Sequence, residues 1–436
     1  MNRPARDTPA ARTRELKAFA RSIGVARLGV TTAEPFDALA WLLRARQAAG
    51  LVSPFEEPAA AYRCDPAAWL PGARSLISVA VSYRVEAPFP VPPARTSRVA
   101  PEDRPARDPV YDRPGRTAAR RSRRPRPRRA PQGGRRLRGW ISRHAWGRDY
   151  HRVVAGKLAR IEGWLAQRVP GTRSRSFVDT GPAVDRAVAE RAGVGWIGKN
   201  CALIVPGAGS LVVLGTLVTT VELVPDPPAA PPGTECGDCD LCLRACPTGA
   251  LLGPHELDPH RCLSYVTQMP GQVPVAFRQA MGNRIYGCDT CQQVCPQNRD
   301  LAELGDPGFV PASPWETHPD LLGLLSLSRR EFRELYGRRA SGWRGRKTLQ
   351  RNALIALGNA GPDAAGAVGR IGRLLTDDVR PEIRGAAAWA LGRIGGAEAR
   401  ALLQQALAGE ADPEVRAEIE AAMGRGGGFR CAPGPR

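Results

Sequence analysis

Near the N-terminus, the stretch ARTRELKAFARSIG repeats apolar residues every three to four positions, the spacing of a helix with one buried face. From 75 to 83, SLISVAVSY is a continuous apolar run rich in β-branched residues and predicts a buried strand. That strand stops where a Pro- and Arg-rich stretch, 94–138, begins. Helical spacing resumes in YHRVVAGKLARIEGWLAQRV, where Val153, Leu158, Ile161 and Leu165 share a face. SFVDTGPAVDRAVAERAG follows as a short strand leading into a helix, and CALIVPGAGSLVVLGTLVTTVEL as two strands around a Gly-rich turn. Together these elements predict an α+β domain over residues 1–224.

The linker PDPPAAPPGTE separates this domain from a cysteine-rich one at 225–310. The remainder, 320–425, is helical and repetitive. ALIALGN (353–359) recurs 34 residues later as AAWALGR (387–393), superimposing Ala353 on Ala387, Ala356 on Ala390, Leu357 on Leu391 and Gly358 on Gly392. A degraded third copy, EAAMGR, ends at Arg425. That period predicts an all-α stack of HEAT-like hairpins offering a surface to a partner. The alternative is a plain helical cap on the domain below.

No run of about 18 apolar residues occurs, so no membrane span is expected. The first residues carry scattered arginines but no apolar core of a signal peptide, which points to a cytoplasmic protein. The formal charge of +21 suggests a nucleic-acid partner until it is mapped. Residues 94–138 hold sixteen Arg against four acids and supply +12 of it. This segment has too little apolar surface to order itself and is expected to be a disordered basic insertion, either adding attraction to phosphates or merely solvated.

Eleven cysteines in such a chain suit metal ligation better than disulfides. CGDCDLCLRACP places Cys236, Cys239, Cys242 and Cys246 in the C-x2-C-x2-C-x3-C-P spacing that wraps four-iron, four-sulfur clusters. A second block offers Cys262 in RCLSY, then Cys288, Cys291 and Cys295 in GCDTCQQVCP. In this motif the fourth cysteine serves the other cluster. One cluster therefore takes Cys236, Cys239, Cys242 and Cys295, and the other Cys246, Cys262, Cys288 and Cys291. Structural zinc would also use C-x2-C pairs, but has no need of a third Cys two residues on or of the following Pro. Cys64, Cys201 and Cys431 stay unassigned. Two adjacent clusters make an electron wire, which belongs either to a reductase or to a bare carrier.

RAGVGWIGKNC, residues 191–201, matches G-x-G-x-x-G and the first seven positions of G-x-x-x-x-G-K. A phosphate loop needs strand, glycines and helix in that order. Here the helix VDRAVAERA comes first and strands follow, and Asn200 stands where a magnesium-binding hydroxyl belongs. A nucleotide site is not expected.

The motifs ISRHAWGRDYH (141–151), FVDTGPAVDRAVAERAGVGWIGKNC (177–201), RCLSY and GNRIYGCDTCQQVCPQN, in this order and followed by helical repeats, resemble the epoxyqueuosine reductase family. The resemblance implies a cobalamin held by the first domain above the two clusters. It implies a tRNA anticodon stem-loop held partly by the repeats, electrons from a low-potential donor of the flavodoxin or ferredoxin class, and a monomer. It points to Asp179 as proton donor, with a carboxylate that only satisfies the TGP turn as the alternative. Asp185 is the weaker acid candidate and is expected to cap its helix. Lys199 and Asn200 are placed beside the corrin, and Ser264 and Tyr265 between the second cluster and cobalt. The motif D-x-H-x-x-G begins at Asp149, but Val154 replaces its glycine, so His151 is not expected to ligate cobalt. A cobalamin-dependent reductive dehalogenase is the rival enzyme; those are usually exported and lack a repeat tail.

Overall fold

The computed structural model describes residues 8–92, 137–229, 236–301 and 305–425. All but the last two residues of the basic insertion, and Cys431, lie outside them. The chain opens with α1 (Pro9–Ser22), β1 (Arg27–Thr32), α2 (Asp37–Ala48), α3 (Ala60–Cys64), α4 (Pro66–Trp69) and β2 (Ser75–Ser82). Beyond the insertion come β3 (Trp140–Ile141), α5 (Tyr150–Arg168), β4 (Ser174–Phe177), α6 (Asp185–Arg191), β5 (Trp196–Ile197), β6 (Leu203–Ile204) and β7 (Val212–Thr219).

Every residue of β2 is buried, as an unbroken apolar run demands, so the strand needs neighbours on both edges and cover on both faces. It lies inside an antiparallel sheet of order β1-β2-β7-β4. Side chains alternate between two layers, as strand geometry requires. Ile77, Val79 and Leu217 pack with Leu16 of α1 and Val154, Leu158 and Ile161 of α5. Leu76 and Val218 pack with Trp69, Phe177 and Val188 on the other side, where Cys64 is a small buried apolar residue.

Three features sharpen the expected picture. The fully buried face of α5 adds Val154 and Lys157, while Val153 packs partly buried against the same core. The two strands around the Gly-rich turn do not pair: β6 joins β5, a Val205–Gly209 bridge closes the turn, and β7 enters the main sheet. Residues 139–142 leave the sheet domain altogether, because β3 pairs in parallel with β10 (Arg284–Tyr286).

The cysteine domain has only short elements: α7 (Leu241–Ala245), the β8 (Leu251–Gly253) and β9 (Glu256–Leu257) hairpin, α8 (Leu263–Val266), α9 (Val275–Met281), β10 and α10 (Thr290–Gln293). Then come α11 (Leu321–Ser326), α12 (Arg329–Tyr336), α13 (Gly345–Ala360), α14 (Val368–Asp377), α15 (Pro381–Ile394), α16 (Ala397–Gly409) and α17 (Pro413–Arg425). The three sequence copies are α13, α15 and α17, stacked side by side. Polar side chains root this stack in the cysteine domain. Asn352 Nδ2 donates to Thr267 O (2.7 Å) and Ile285 O (2.8 Å), Arg351 Nη1 donates to Gly271 O (2.6 Å), and Arg278 forms a two-pronged ion pair with Glu418.

The repeated glycine explains the tight stacking. A Cβ on Gly358 would lie 2.4 Å from the Trp389 ring, and one on Gly392 2.7 Å from Ala422 Cβ and 2.9 Å from its Cα. At Gly424, the equivalent residue in the third copy, nothing among the described residues lies within 4 Å. Gly392→Ala is therefore expected to cost about 1–2 kcal/mol net, overpacking outweighing the helix-propensity gain. Gly424→Ala is expected to be neutral or to stabilise by up to ~1 kcal/mol. Thermal unfolding of the two variants checks the contrast.

Candidate active site

The structure brings Cys236, Cys239, Cys242 and Cys295 to the wall of one cavity of about 150 Å³. Of the other four thiols, Cys246 and Cys288 lie close enough to act on Cys262, and all three act on Cys291. Cys262 is pushed up to about 12 by burial and then by Cys288 and Cys246. Burial, with Cys288, Cys262 and Cys246, pushes Cys291 well above the ordinary thiol range. Cys291 also feels Cys242, so the two sets adjoin. The amides of Ser264 and Tyr265, at the start of α8, hydrogen-bond Cys262 and favour its thiolate. Among the described residues, no group of three or more His, Cys, Asp or Glu converges on a single metal ion. An iron–sulfur cube spreads its four thiolates over four irons.

Lys199 and Asn200, expected beside a corrin, line the cavity of the first cysteine set. Lys199 Nζ donates to Gly237 O in the cysteine loop. Asn200 is buried, its Oδ1 accepts the Ala202 amide, and its Nδ2 has no partner among the described residues. An orphaned N–H on a cavity-lining residue suits sulfur acceptors. The glycines around them serve backbone packing: a Cβ on Gly195 would sit 2.2 Å from Ile204 O. Cys201 has φ +63 and packs half-buried against Cys242 and Cys246.

Asp179 follows β4 with φ +59, a left-handed conformation rare outside glycine. Its carboxyl is 68% exposed and does not serve the turn: the Thr180 amide bonds Val178 O, while Asp179 Oδ2 accepts the Tyr150 hydroxyl at 2.5 Å. Proximity to Asp179, on top of burial, drives the Tyr150 phenol far above its ordinary pKa, so the hydroxyl stays a donor. Tyr150 stacks on His151 at 4.1 Å and meets His144 edge-on at 6.2 Å. His151 Nδ1 sits 2.8 Å from Asp149 Oδ1, and Nε2 lies 4.0 Å from Asp179. His144 Nδ1 is 2.7 Å from Ser142 Oγ, which donates to buried Asp289; that carboxylate also accepts Trp140 Nε1 and the Arg143 amide. Asp289 is the immediate neighbour of Cys288, so polar contacts lead from the cysteine domain to the vicinity of Asp179.

A second line of contacts is aromatic. Tyr265 packs on Phe55 at 5.2 Å, Phe55 on Trp343 at 5.2 Å, Trp343 borders Tyr286, and Tyr286 meets His144 at 5.8 Å. Phe55 and Trp343 remain 42% and 53% exposed. Ser264, expected to line a cofactor, enters through its backbone, accepting from Gln268 Nε2 at 2.8 Å. Asp185 does not act as a helix cap: α6 has Val184 at its N-cap with no side-chain capping bond, and Asp185 turns to the Asp179 amide and Thr216. Dense protein around its carboxyl raises its pKa to about 6 although the residue keeps some solvent contact. Sequence reasoning quoted Ser142, His144, Tyr150 and Asp289 within motifs but gave them no role; the crowding of Trp, His and Asp in 140–151 was the available signal.

An exposed acid and an aromatic wall set against a paired-cysteine domain, with a helical repeat behind, define an iron–sulfur oxidoreductase. Residues 235–298 match a family described as a 4Fe-4S double cluster binding domain, and 344–424 match HEAT repeats, so the tail is not a plain cap. Residues 118–180 match the family Epoxyqueuosine reductase QueG, DUF1730. Epoxyqueuosine reductases of Bacillus subtilis and Bacillus cereus are 40% and 38% identical over 406 and 402 residues, covering 93% and 92% of this chain and 94% of each relative. A solved epoxyqueuosine reductase with an epoxyqueuosine-modified tRNA-Tyr stem loop superposes with a TM-score of 0.82 at 38% identity, covering 96% of this chain and all of the other. The Bacillus subtilis enzyme, solved with an aspartate-bearing catalytic loop swung out of its active site, gives 0.81 at 37% with the same coverage. The chain belongs to the epoxyqueuosine reductase family.

The Asp149 carboxylate raises the pKa of His151 against the opposing effect of burial. A raised value in the fold means that the protonated ring stabilises the structure below its ordinary pKa of ~6.5, a contribution lost as pH rises through the raised value. Asp149→Asn is expected to lower the His151 midpoint, read from ring resonances by NMR.

Proposed function

We propose that this chain reduces the epoxide of epoxyqueuosine at the wobble position of tRNA to the alkene of queuosine, using cobalamin and two four-iron, four-sulfur clusters. The observation that carries this reading is the continuity from the two cysteine sets, through the aromatic wall, to an exposed, conformationally held carboxyl at Asp179. Cys236, Cys239, Cys242 and Cys295 hold one cluster, and Cys246, Cys262, Cys288 and Cys291 the other. Asn200 Nδ2 and the Ser264 and Tyr265 amides supply hydrogen bonds to sulfur. The partly exposed Phe55 and Trp343, beside Tyr265, suit the face of a flat macrocycle. His151 is held by Asp149 and stacked flat on Tyr150, in keeping with a corrin that takes no histidine ligand.

When bound, the clusters and corrin supply two electrons at low potential. Epoxide to alkene consumes those electrons and two protons and releases the oxygen as water. The chain's own task is the proton. Cleavage of the C–O bond leaves negative charge on oxygen, and Asp179 delivers a proton there, worth ~10²- to 10⁴-fold. Tyr150 occupies Oδ2 as donor and leaves the other oxygen to carry that proton. The tRNA stem loop bound by a relative supports an anticodon stem-loop as substrate, with the HEAT surface among its contacts. A flavodoxin- or ferredoxin-class protein delivers the electrons, and the chain works as a monomer. No helix among the described residues is long and apolar enough to cross a membrane.

Asp179→Ala, with iron, corrinoid and stem-loop binding intact, is expected to lower single-turnover reduction by ~10²- to 10⁴-fold; an unchanged rate would move the proton donor elsewhere. Cys295→Ala is expected to cut analytical iron from about eight to about four per chain and abolish turnover. Zinc in place of iron in anaerobically prepared protein would overturn the reading.

A further inference from the structure

The loop that carries Asp179 begins and ends on one residue of the sheet. It leaves β4 at Phe177, the residue paired with Thr216 of β7. It returns at Asp185, whose Oδ1 accepts the Thr216 hydroxyl. Thr216 is fully buried. The other oxygen of Asp185 accepts the backbone N–H of Asp179 at 3.2 Å. The loop folds down onto the strand end between these points, since a Cβ on Gly181 would lie 2.3 Å from the Phe177 ring. Asp179 holds φ +59 within it, a conformation that costs on the order of 1 kcal/mol or more for a non-glycine residue and persists only where surroundings enforce it. Tyr150 restrains the Asp179 side chain, while among the described residues it is Asp185 that grips its backbone amide.

We infer that Asp185 is a positioning residue, a latch that ties the Asp179 backbone to Thr216 and keeps the acid-bearing loop in its working conformation. This rests on the reading of Asp179 as proton donor. The latch needs an acceptor facing the Asp179 amide and a polar partner facing the Thr216 hydroxyl. A carboxylate meets both needs, and an amide can meet both too, because the hydroxyl rotates to accept. An alanine meets neither. Released, the loop relaxes its backbone at Asp179 and the carboxyl leaves the reacting oxygen, while the stem-loop surface stays intact.

The test uses the full-length holoenzyme with verified iron and corrinoid content and an epoxyqueuosine-containing stem-loop. Asp185→Ala is expected to lower kcat about tenfold, the worth of one charge-assisted hydrogen bond, with KM changed by less than about twofold. Backbone amide exchange across 178–184 should quicken while that of β7 stays the same. Asp185→Asn should restore most of both properties. Thr216→Val, which removes one anchor and keeps the carboxyl, should quicken the same exchange to a smaller degree. Asp185→Ala should add nothing in an Asp179→Ala background. The latch is overturned by wild-type kcat and exchange in Asp185→Ala, by exchange rising across the whole sheet, or by additive effects in the double variant. If instead Asp179→Ala turns over normally while Asp185 still governs loop exchange, the proton-donor reading falls and the latch stands.

Discussion

Thiols crowded into a protein interior resist ionisation, and that resistance governs this structure. Burial raises the pKa of Cys242, Cys262, Cys291 and Cys295, and neighbouring thiolates raise it further. A few backbone amides oppose the effect without cancelling it. A bound metal cluster pulls such groups into the thiolate state, and its binding energy then becomes folding energy for the segment that surrounds it. The segment needs that energy. Its longest helix has seven residues, and the small apolar cluster around Cys242 and Cys246 is partly made of the cysteines themselves.

What the cysteine segment fixes extends well beyond its own boundary. Asp289, between Cys288 and Cys291, accepts from Ser142, Trp140 and the Arg143 amide and so anchors the strand that pairs with β10. On the opposite side, Thr267, Gly271 and Ile285 offer carbonyls to Arg351 and Asn352 of α13. These are buried polar groups, each costly to leave unpaired, so the repeat stack cannot swing freely against the cysteine domain. A partner docked on the repeats would thereby be held in register with the cysteine domain.

Much of this architecture was legible because its signals are local. The buried strand at 75–82, the cysteine spacing and the 34-residue repeat each state a periodicity or count that chemistry ties to one structure. Gly358 recurs as Gly392, and the close helix contacts at both became visible only in the fold. Illegible features depend on residues far apart in the chain. Lys199 and Asn200 line the cavity of a cysteine loop almost 40 residues on, a contact that no local pattern announces. Val153 and Val154 are indistinguishable by composition, and the choice between them depends on the rotation of α5 against Gly215 of β7. Asp185 opens a helix and so looked like a cap; its true partners are Asp179 and Thr216.

Lys157 shows how such distant pairs reach the chemistry. It is nearly buried in the middle of α5, with Nζ 2.6 Å from Ile23 O and 2.6 Å from Asp306 Oδ2. Losing either charged partner would strand the other in the interior, at a cost of about 3–5 kcal/mol. Asp306 also accepts the Gly308 amide, and its own N–H donates to Ser82 O at the end of β2. Gly308 O in turn accepts the Arg148 amide, one residue before Asp149 caps α5. The first turn of that helix carries Tyr150 and His151. A buried ion pair more than a turn away thus sets the entry angle of α5, and with it the distance from the Tyr150 hydroxyl to Asp179. The acid's surroundings are assembled from the sheet, the exit of the cysteine domain and one long helix, none of which could hold the carboxyl in place alone.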